Sequence, residues 1–246
     1  MNREYALITG SSKGLGRLLA NEFASNGYGV ILHGRNNEKL EETKEEVESY
    51  GNGVSYVLGD LKDTNTLDML VNEAREKDLS VLVNNAADSR VGITFEDLES
   101  EDIENMVYTN LIAPMILTKE IYNLFLEREG NGSVININSV FSLETKDRSV
   151  PYSTSKWGLR GFSDTLRAEG EKQGIRVMDV YPTKIQLDGG EYGMDGKEAA
   201  QSIYKSFKDQ SIDGIFLDGR PDQFKPDTEE NGLKMGITPV EVIKKC

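Results

Sequence analysis

Apolar runs of four to six residues alternate along this chain with longer stretches in which apolar positions recur every three or four residues. The first pattern predicts strands buried on both faces and the second amphipathic helices. Their alternation predicts a parallel sheet with crossover helices. Strands are expected at Tyr5–Thr9, Gly29–His33, Val54–Leu58, Val81–Val83, Val134–Asn138, Val177–Tyr181 and Ile215–Leu217. Helices are expected at about 14–26, 64–77, 99–127, 152–172 and 197–208. A further helix is expected in NNEKLEETKEEVESYG, where Leu40, Thr43, Val47 and Tyr50 share one face and charges cover the rest, as on a solvated outer helix. No internal repeat, low-complexity tract or Pro/Ser-rich linker divides the chain. The expectation is a single doubly wound α/β domain over residues 1–219, with a central, mainly parallel seven-stranded sheet flanked by helices. Gly189, Gly190 and Gly193 mark a loose loop, and residues 220–246 read as a polar tail of uncertain structure.

Composition narrows the function. With 37% hydrophobic and 28% charged residues among 246, the chain can bury a core, yet no stretch approaches the roughly 20 apolar residues of a membrane span. The opening MNREYALITG runs straight into a strand-like segment and lacks the pattern of a secretory leader, so a cytoplasmic protein is expected. A formal charge of −14 repels nucleic acid and anionic membranes, so neither is expected as a partner. Any phosphate must be captured by a local cluster of cations. Cys246 is the only cysteine and His33 the only histidine. That excludes an intrachain disulfide and a cysteine-based metal site, and argues against His-ligated metals and a Ser-His-Asp triad, so no metal is expected.

Thr9-Gly10-Ser11-Ser12-Lys13-Gly14-Leu15-Gly16 falls where the first strand should hand over to the first helix. Glycines there permit a tight turn and let backbone N–H groups and a helix N-terminus approach a pyrophosphate. Gly59-Asp60-Leu61 follows the third strand and Asn84-Asn85-Ala86-Ala87 the fourth, both at strand carboxyl ends, where open α/β sheets bind ligands. Tyr152-Ser-Thr-Ser-Lys156 sets a phenol and an ammonium on one helix face. Composition alone gives about one Tyr-x-x-x-Lys pair by chance, and the chain holds a second at Tyr204 and Lys208. Position separates them, because Tyr152 lies thirteen residues after Ser139 at the end of the fifth strand. The neighbouring ammonium should lower the Tyr152 phenol by roughly 1–3 pKa units.

From Tyr5 to Gly219 this ordered set resembles the short-chain dehydrogenase/reductase family: TGSSKGLG, GDL, NNAA, Asn110, Ser139, YSTSK and a proline, Pro182, after the sixth strand. The resemblance implies a Rossmann-type fold and an NADP(H)-dependent oxidoreductase that moves a hydride between nicotinamide and a carbonyl or secondary alcohol. It implies that Tyr152 protonates the carbonyl oxygen and that Ser139 hydrogen-bonds it. Lys156 would also hold the nicotinamide ribose, with Asn110 supporting a water-mediated proton path. Gly10, Ser12, Lys13, Gly14, Leu15 and Gly16 would cradle the pyrophosphate side, Asp60 and Leu61 the adenine, Asn84 and Ala86 the adenosine side, and Pro182, Thr183 and Ile185 the nicotinamide side. Ala87 and Thr183 stand where the family commonly has glycine, and Leu187 where a threonine usually anchors the nicotinamide carboxamide. The segment after Pro182 is shorter than usual, which implies a small lid.

For cofactor choice, the resemblance places on Gly34 the acidic residue that an NAD binder would use, and none is present. Arg35 and Lys13 instead supply cations for the 2′-phosphate of NADP(H). If the helix around Asn110 is continuous, Pro114, four residues on, cannot donate to the Asn110 carbonyl. The substrate is a small carbonyl or alcohol, with Asp88, Ser89, Arg90, Val140, Leu143, Pro151, Thr183 and the loop from Gly189 to Met194 as candidate lining. The charged loop Glu144–Arg148 is either a polar-substrate contact or merely solvated. A homodimer or homotetramer is implied through helices near 111–127 and 152–172, where Ile116, Phe125, Trp157 and Phe162 exceed what one core needs. Two other readings stay open: a sugar-nucleotide epimerase or dehydratase, and a catalytically silent NADP(H)-binding sensor or regulatory protein of the same fold.

Overall fold

The computed structural model describes residues 3–187, 190, 192–220 and, for the backbone, 241–244. Gly189 and most of the 220–246 segment lie outside the described residues. The first half of the chain runs β1 Glu4–Ile8, α1 Gly14–Ser25, β2 Gly29–Gly34, α2 Asn37–Glu48, β3 Val54–Leu58, α3 Thr64–Glu76 and β4 Asp78–Asn84. The second half runs α4 Ser100–Val107, α5 Ala113–Glu127, β5 Gly132–Ile137, α6 Val150–Gly170 and β6 Ile175–Pro182. A short pair, β7 Ile185–Gln186 and β8 Met194–Asp195, leads into α7 Gly196–Lys208, β9 Gly214–Asp218 and β10 Glu241–Lys244. The seven expected strands correspond to β1 to β6 and β9, and β10 adds an eighth, paired parallel to β9.

The sheet order is β3-β2-β1-β4-β5-β6-β9-β10, all parallel, so the strand order reverses between β1 and β4. Alternation along each strand feeds two cores. Ala6, Ile8, Val30 and Leu32 pack with Leu19 and Phe23 of α1 and Ile203 and Phe207 of α7. Leu7, Ile31 and Leu82 face the other way, against Leu70 of α3 and Leu117, Ile121 and Phe125 of α5. Phe125 is fully buried there and is corrected from an interface candidate to a core residue, whereas Ile116 and Trp157 are exposed.

The single helix expected over 99–127 is continuous but not uniform. Between α4 and α5, Tyr108–Ile112 forms one π-helical turn in which the Ala113 N–H reaches back five residues to Tyr108. Pro114 opens the next segment, where its missing N–H is tolerated. The wide turn places Asn110 in the interior, 1% exposed. Among the described residues, no helix is long and apolar enough to cross a membrane.

Candidate active site

A cleft of about 640 Å³ opens at the carboxyl ends of the strands, where the strand order reverses. One end is the loop between β1 and α1. Gly10 adopts φ +67°, and a side chain there would stand 2.9 Å from the Ala86 Cα, so the turn requires glycine. The wall after β4 is tied to it: Asn85 Nδ2 donates to the Thr9 carbonyl at 2.9 Å, and the Asn85 and Ala86 N–H groups donate to Thr9 Oγ1 at 3.0 and 3.1 Å. Gly10, Ser12, Lys13, Gly14, Leu15 and Gly16 all line the cleft.

The adenosine end is cationic in an acidic protein. Lys13, Arg35 and Lys39 border the cleft, and Asn36 caps the N-terminus of α2 by accepting from the Lys39 N–H at 2.9 Å. At Gly34 an added Cβ would meet Ser12 Cβ and Oγ at 2.9 Å, so an acidic side chain would have to displace Ser12. Asp60 and Leu61 line the same end, and Asp60 accepts from Arg35 at 3.3 Å. A cradle that a Cβ would fill, next to three cations, fits a phosphorylated dinucleotide.

At the other end stand Ser139, Tyr152 and Lys156. Ser139 opens a 3₁₀ turn, Val140–Ser142, and its N–H donates to Asn138 Oδ1 at 3.0 Å. Its hydroxyl oxygen accepts from the Phe141 N–H at 3.3 Å and lies beside the Tyr152 phenol. Phe141 packs edge-on to the Tyr152 ring with centroids 5.2 Å apart. Lys156, one turn beyond Tyr152 on α6, donates from Nζ to the Ile137 carbonyl at 2.8 Å, and Nζ lies 5.9 Å from the Tyr152 ring centre. Burial pushes the Tyr152 phenol up, and the Ser139 hydrogen bond opposes that shift. The expected lowering of Tyr152 by Lys156 is therefore not found: burial dominates, and the ammonium is turned to a backbone carbonyl. Burial also lowers Lys156 to about 8, against the opposing pull of Asp179.

Asn110 does not present its side chain to the cleft. Nδ2 donates to the Asp88 carbonyl at 2.8 Å and to Ser155 Oγ at 3.2 Å, while Oδ1 accepts from the Asp88 N–H at 2.7 Å. It clamps the loop after β4 to α6, behind Tyr152. The side chains of two expected cofactor contacts are bonded elsewhere. Asn84 is 4% exposed and points into the sheet interior, donating to Thr118 Oγ1 at 2.9 Å and Asn136 Oδ1 at 2.8 Å. Thr183 Oγ1 is taken by the end of β9, donating to Asp218 at 3.2 Å and accepting from the Gly219 N–H at 3.0 Å. Ala86, Pro182 and Ile185 line the cleft as expected, and Leu187 joins them.

Lining residues that the sequence did not single out are Lys39, Asn138 and Thr109, together with the Ile137 backbone acceptor. Lys39 sits just beyond the His33-Gly34-Arg35-Asn36 segment, whereas Asn138 and Thr109 carry no local signal. On the substrate side, Ser89 borders the cleft, but Asp88 and Arg90 pair with each other at 2.8 Å and Arg90 with Asp102 at 2.5 Å. Val140 packs with Tyr181 and Phe216, flanked by Leu143. Of the charged loop, Glu144 pairs with Arg220 at 3.2 Å, and Lys146 lies 5.1 Å from the centre of the Phe141 ring. Behind the site, Asp179, fully buried, accepts from Arg167 at 2.6 Å and from Asn138 at 3.4 Å. Among the described residues no cluster of metal-ligating side chains is present.

A family model described as short chain dehydrogenase matches residues 4–191. An uncharacterized oxidoreductase of Thermotoga maritima is 32% identical over 183 residues, covering 74% of this chain and 71% of its own. A protein named sulfoacetaldehyde reductase 2, of Chromohalobacter salexigens, is 29% identical over 205 residues, covering 82% and 81%. A short-chain dehydrogenase from Sphingobium yanoikuyae, solved in complex with NADPH, superposes with a TM-score of 0.79 at 24% identity over 87% of both chains, which shows a shared fold.

Proposed function

This chain belongs to the short-chain dehydrogenase family, and on that premise we propose that it is an NADP(H)-dependent oxidoreductase acting between a carbonyl compound and its alcohol. The observation that carries the reading is the Tyr152 phenol, in contact with Ser139 and one helical turn from Lys156, at the end of the cleft away from Lys13, Arg35 and Lys39. When bound, the dinucleotide supplies or accepts the hydride. The chain's own residues do the rest.

In the direction of reduction, Tyr152 donates its proton to the substrate oxygen, a task suited to a phenol that burial keeps neutral. Ser139 donates a second hydrogen bond to that oxygen and fixes its position. Lys156 supplies positive charge near the developing phenolate and, from its place on the Ile137 carbonyl, would hold a ribose hydroxyl of the bound dinucleotide. Asn110 holds the Asp88 loop against α6 and keeps the wall behind Tyr152 in place. Gly10 to Gly16 would offer backbone N–H groups to the pyrophosphate, and Lys13, Arg35 and Lys39 would hold the 2′-phosphate. A small-molecule substrate, a cytoplasmic setting and a homo-oligomer built partly on Ile116 and Trp157 complete the reading.

A panel of aldehydes and ketones with NADPH, followed by loss of absorbance at 340 nm, tests it. Steady consumption with at least one carbonyl supports the proposal. Tight NADPH binding with no turnover anywhere on the panel favours a silent sensor instead.

A further inference from the structure

The protein's only histidine joins three strand ends at the wall of the cofactor cleft. His33, near the end of β2, is 2% exposed. Its Nδ1 accepts the N–H of Gly10 at 3.3 Å, and its Nε2 stands 3.2 Å from the carbonyl oxygen of Gly59, just past β3. A carbonyl only accepts, so Nε2 carries the proton and Nδ1 offers the lone pair that Gly10 needs. The two contacts define one neutral tautomer. A second proton would set donor against donor at Gly10.

Burial holds the ring neutral, lowering its pKa from 6.5 to about 4; the Gly59 carbonyl and Asp60 oppose this, and Arg35 adds to it. The backbone of His33 is tied to the same turn. The Ser11 N–H donates to the His33 carbonyl at 2.8 Å, and the His33 N–H donates to Ser11 Oγ at 2.9 Å. Gly10 is the left-handed residue that turns the chain out of β1, and Ala86 blocks movement on its other side. The imidazole is therefore the one side-chain acceptor on the Gly10 N–H among the described residues.

We propose that His33 is a positioning residue for the dinucleotide: its neutral Nε2–H tautomer fixes the Gly10 turn to the end of β3, so that the N–H groups of the glycine loop are aimed before the pyrophosphate arrives. The proposal rests on the cofactor reading above. It separates the two faces of the ring, because the Gly10 contact shapes the phosphate loop whereas the Gly59 contact only selects the tautomer.

His33→Asn and His33→Gln test that separation. Asparagine puts an acceptor oxygen near the place of Nδ1 and keeps the Gly10 contact. Glutamine puts an amide donor near the place of Nε2, keeps the Gly59 contact and leaves Gly10 unpaired. NADPH titrated onto each protein by fluorescence should bind about tenfold more weakly to His33→Gln, the scale expected for one buried donor left unsatisfied, and within about threefold of wild type to His33→Asn. At saturating NADPH, kcat should be nearly unchanged in both, placing the effect in cofactor KM. Equal losses in the two variants, or a larger loss in His33→Asn, overturn the proposal. Wild-type protein that binds no NADPH overturns the cofactor reading itself, so the two failures are told apart. A third measurement needs no variant: the long-range ¹H–¹⁵N spectrum of the sole histidine should show a neutral Nε2–H ring well below pH 6.5. An Nδ1–H tautomer, or titration near the ordinary value, overturns the assignment.

Discussion

Arg35 and Asp60 face each other at 3.3 Å across the adenosine end of the cleft. The pair is loose, since the Arg35 side chain is 74% exposed, and surface pairs of this kind contribute about 0–1 kcal/mol. A 2′-phosphate arriving there has little to displace. Arg35→Asp should weaken NADPH about 10- to 150-fold, because it removes a charged hydrogen bond and leaves a second carboxylate beside Asp60. NADH should lose far less. Isothermal titration with both dinucleotides checks this, and equal losses would mean that Arg35 does not read the phosphate. Lys13→Ala should act in the same direction and more weakly.

The two Tyr-x-x-x-Lys pairs give a matched control. Tyr204 packs against Phe23, with ring centres 5.2 Å apart, and against Tyr28 and Phe207, in the cluster between α1 and α7, away from the cleft. Tyr152→Phe should lower kcat about 10²- to 10⁴-fold while leaving NADPH affinity nearly intact. Tyr204→Phe should keep turnover within a few-fold of wild type. Near-normal kcat in Tyr152→Phe would sink the catalytic assignment.

The pH profile should follow Lys156. Burial lowers it from 10.5 to about 8, so its cation is lost as pH rises through about 8, while Tyr152, raised above 10.0, stays protonated. The kcat/KM for reduction should fall above about pH 8. Unfolding on account of Lys156 would not imitate this: between about 8 and 10.5 the unfolded chain binds the proton that the folded chain has released, so this group's contribution to stability rises with pH. A kcat/KM profile flat to pH 10 would show that the ammonium is not needed.

Asp179 should matter to folding more than its distance from the cleft suggests. It is fully buried and bonded to Arg167 at 2.6 Å, so Asp179→Ala leaves Asp164, at 2.8 Å, as the remaining carboxylate on a mostly buried guanidinium. Breaking a buried pair from one side costs about 3–5 kcal/mol, which urea denaturation would register. A loss under about 1 kcal/mol would show that Asp164 alone suffices to hold Arg167.

Much of this arrangement was legible because the sheet repeats every two residues and its ligand edge carries recognisable turns. Ser139 opens the turn after β5, Tyr152 and Lys156 share α6, and the glycine loop falls between β1 and α1. Asn84 and Asn85 show where legibility stops. They are chemically identical neighbours at one strand end, and only the pleat decides that Asn84 turns inward and Asn85 toward the cleft. The π-helical turn at Tyr108–Ile112 was hidden because one extra residue in a turn leaves the apolar pattern of a long helix nearly intact. The sign of the Tyr152 shift depends on how deeply it is buried, which spacing along a helix does not contain. His33 read as a strand-end residue, since its partners lie 23 and 26 residues away.

The placement of β1 between β2 and β4 also bears on how the chain becomes a protein. The loop that would receive the pyrophosphate directly follows β1, but its opposite wall, Asn85 to Ala87, belongs to the turn after β4, and Tyr152 comes later still. Parallel pairings so far apart in sequence make assembly slow. The nucleotide thus has no complete seat on the amino-terminal third of the chain and acts only on the finished fold, where a ligand at a hundred times its Kd adds about 2.7 kcal/mol of stability. Cellular NADPH supply would then set the lifetime of the completed molecule without speeding its formation.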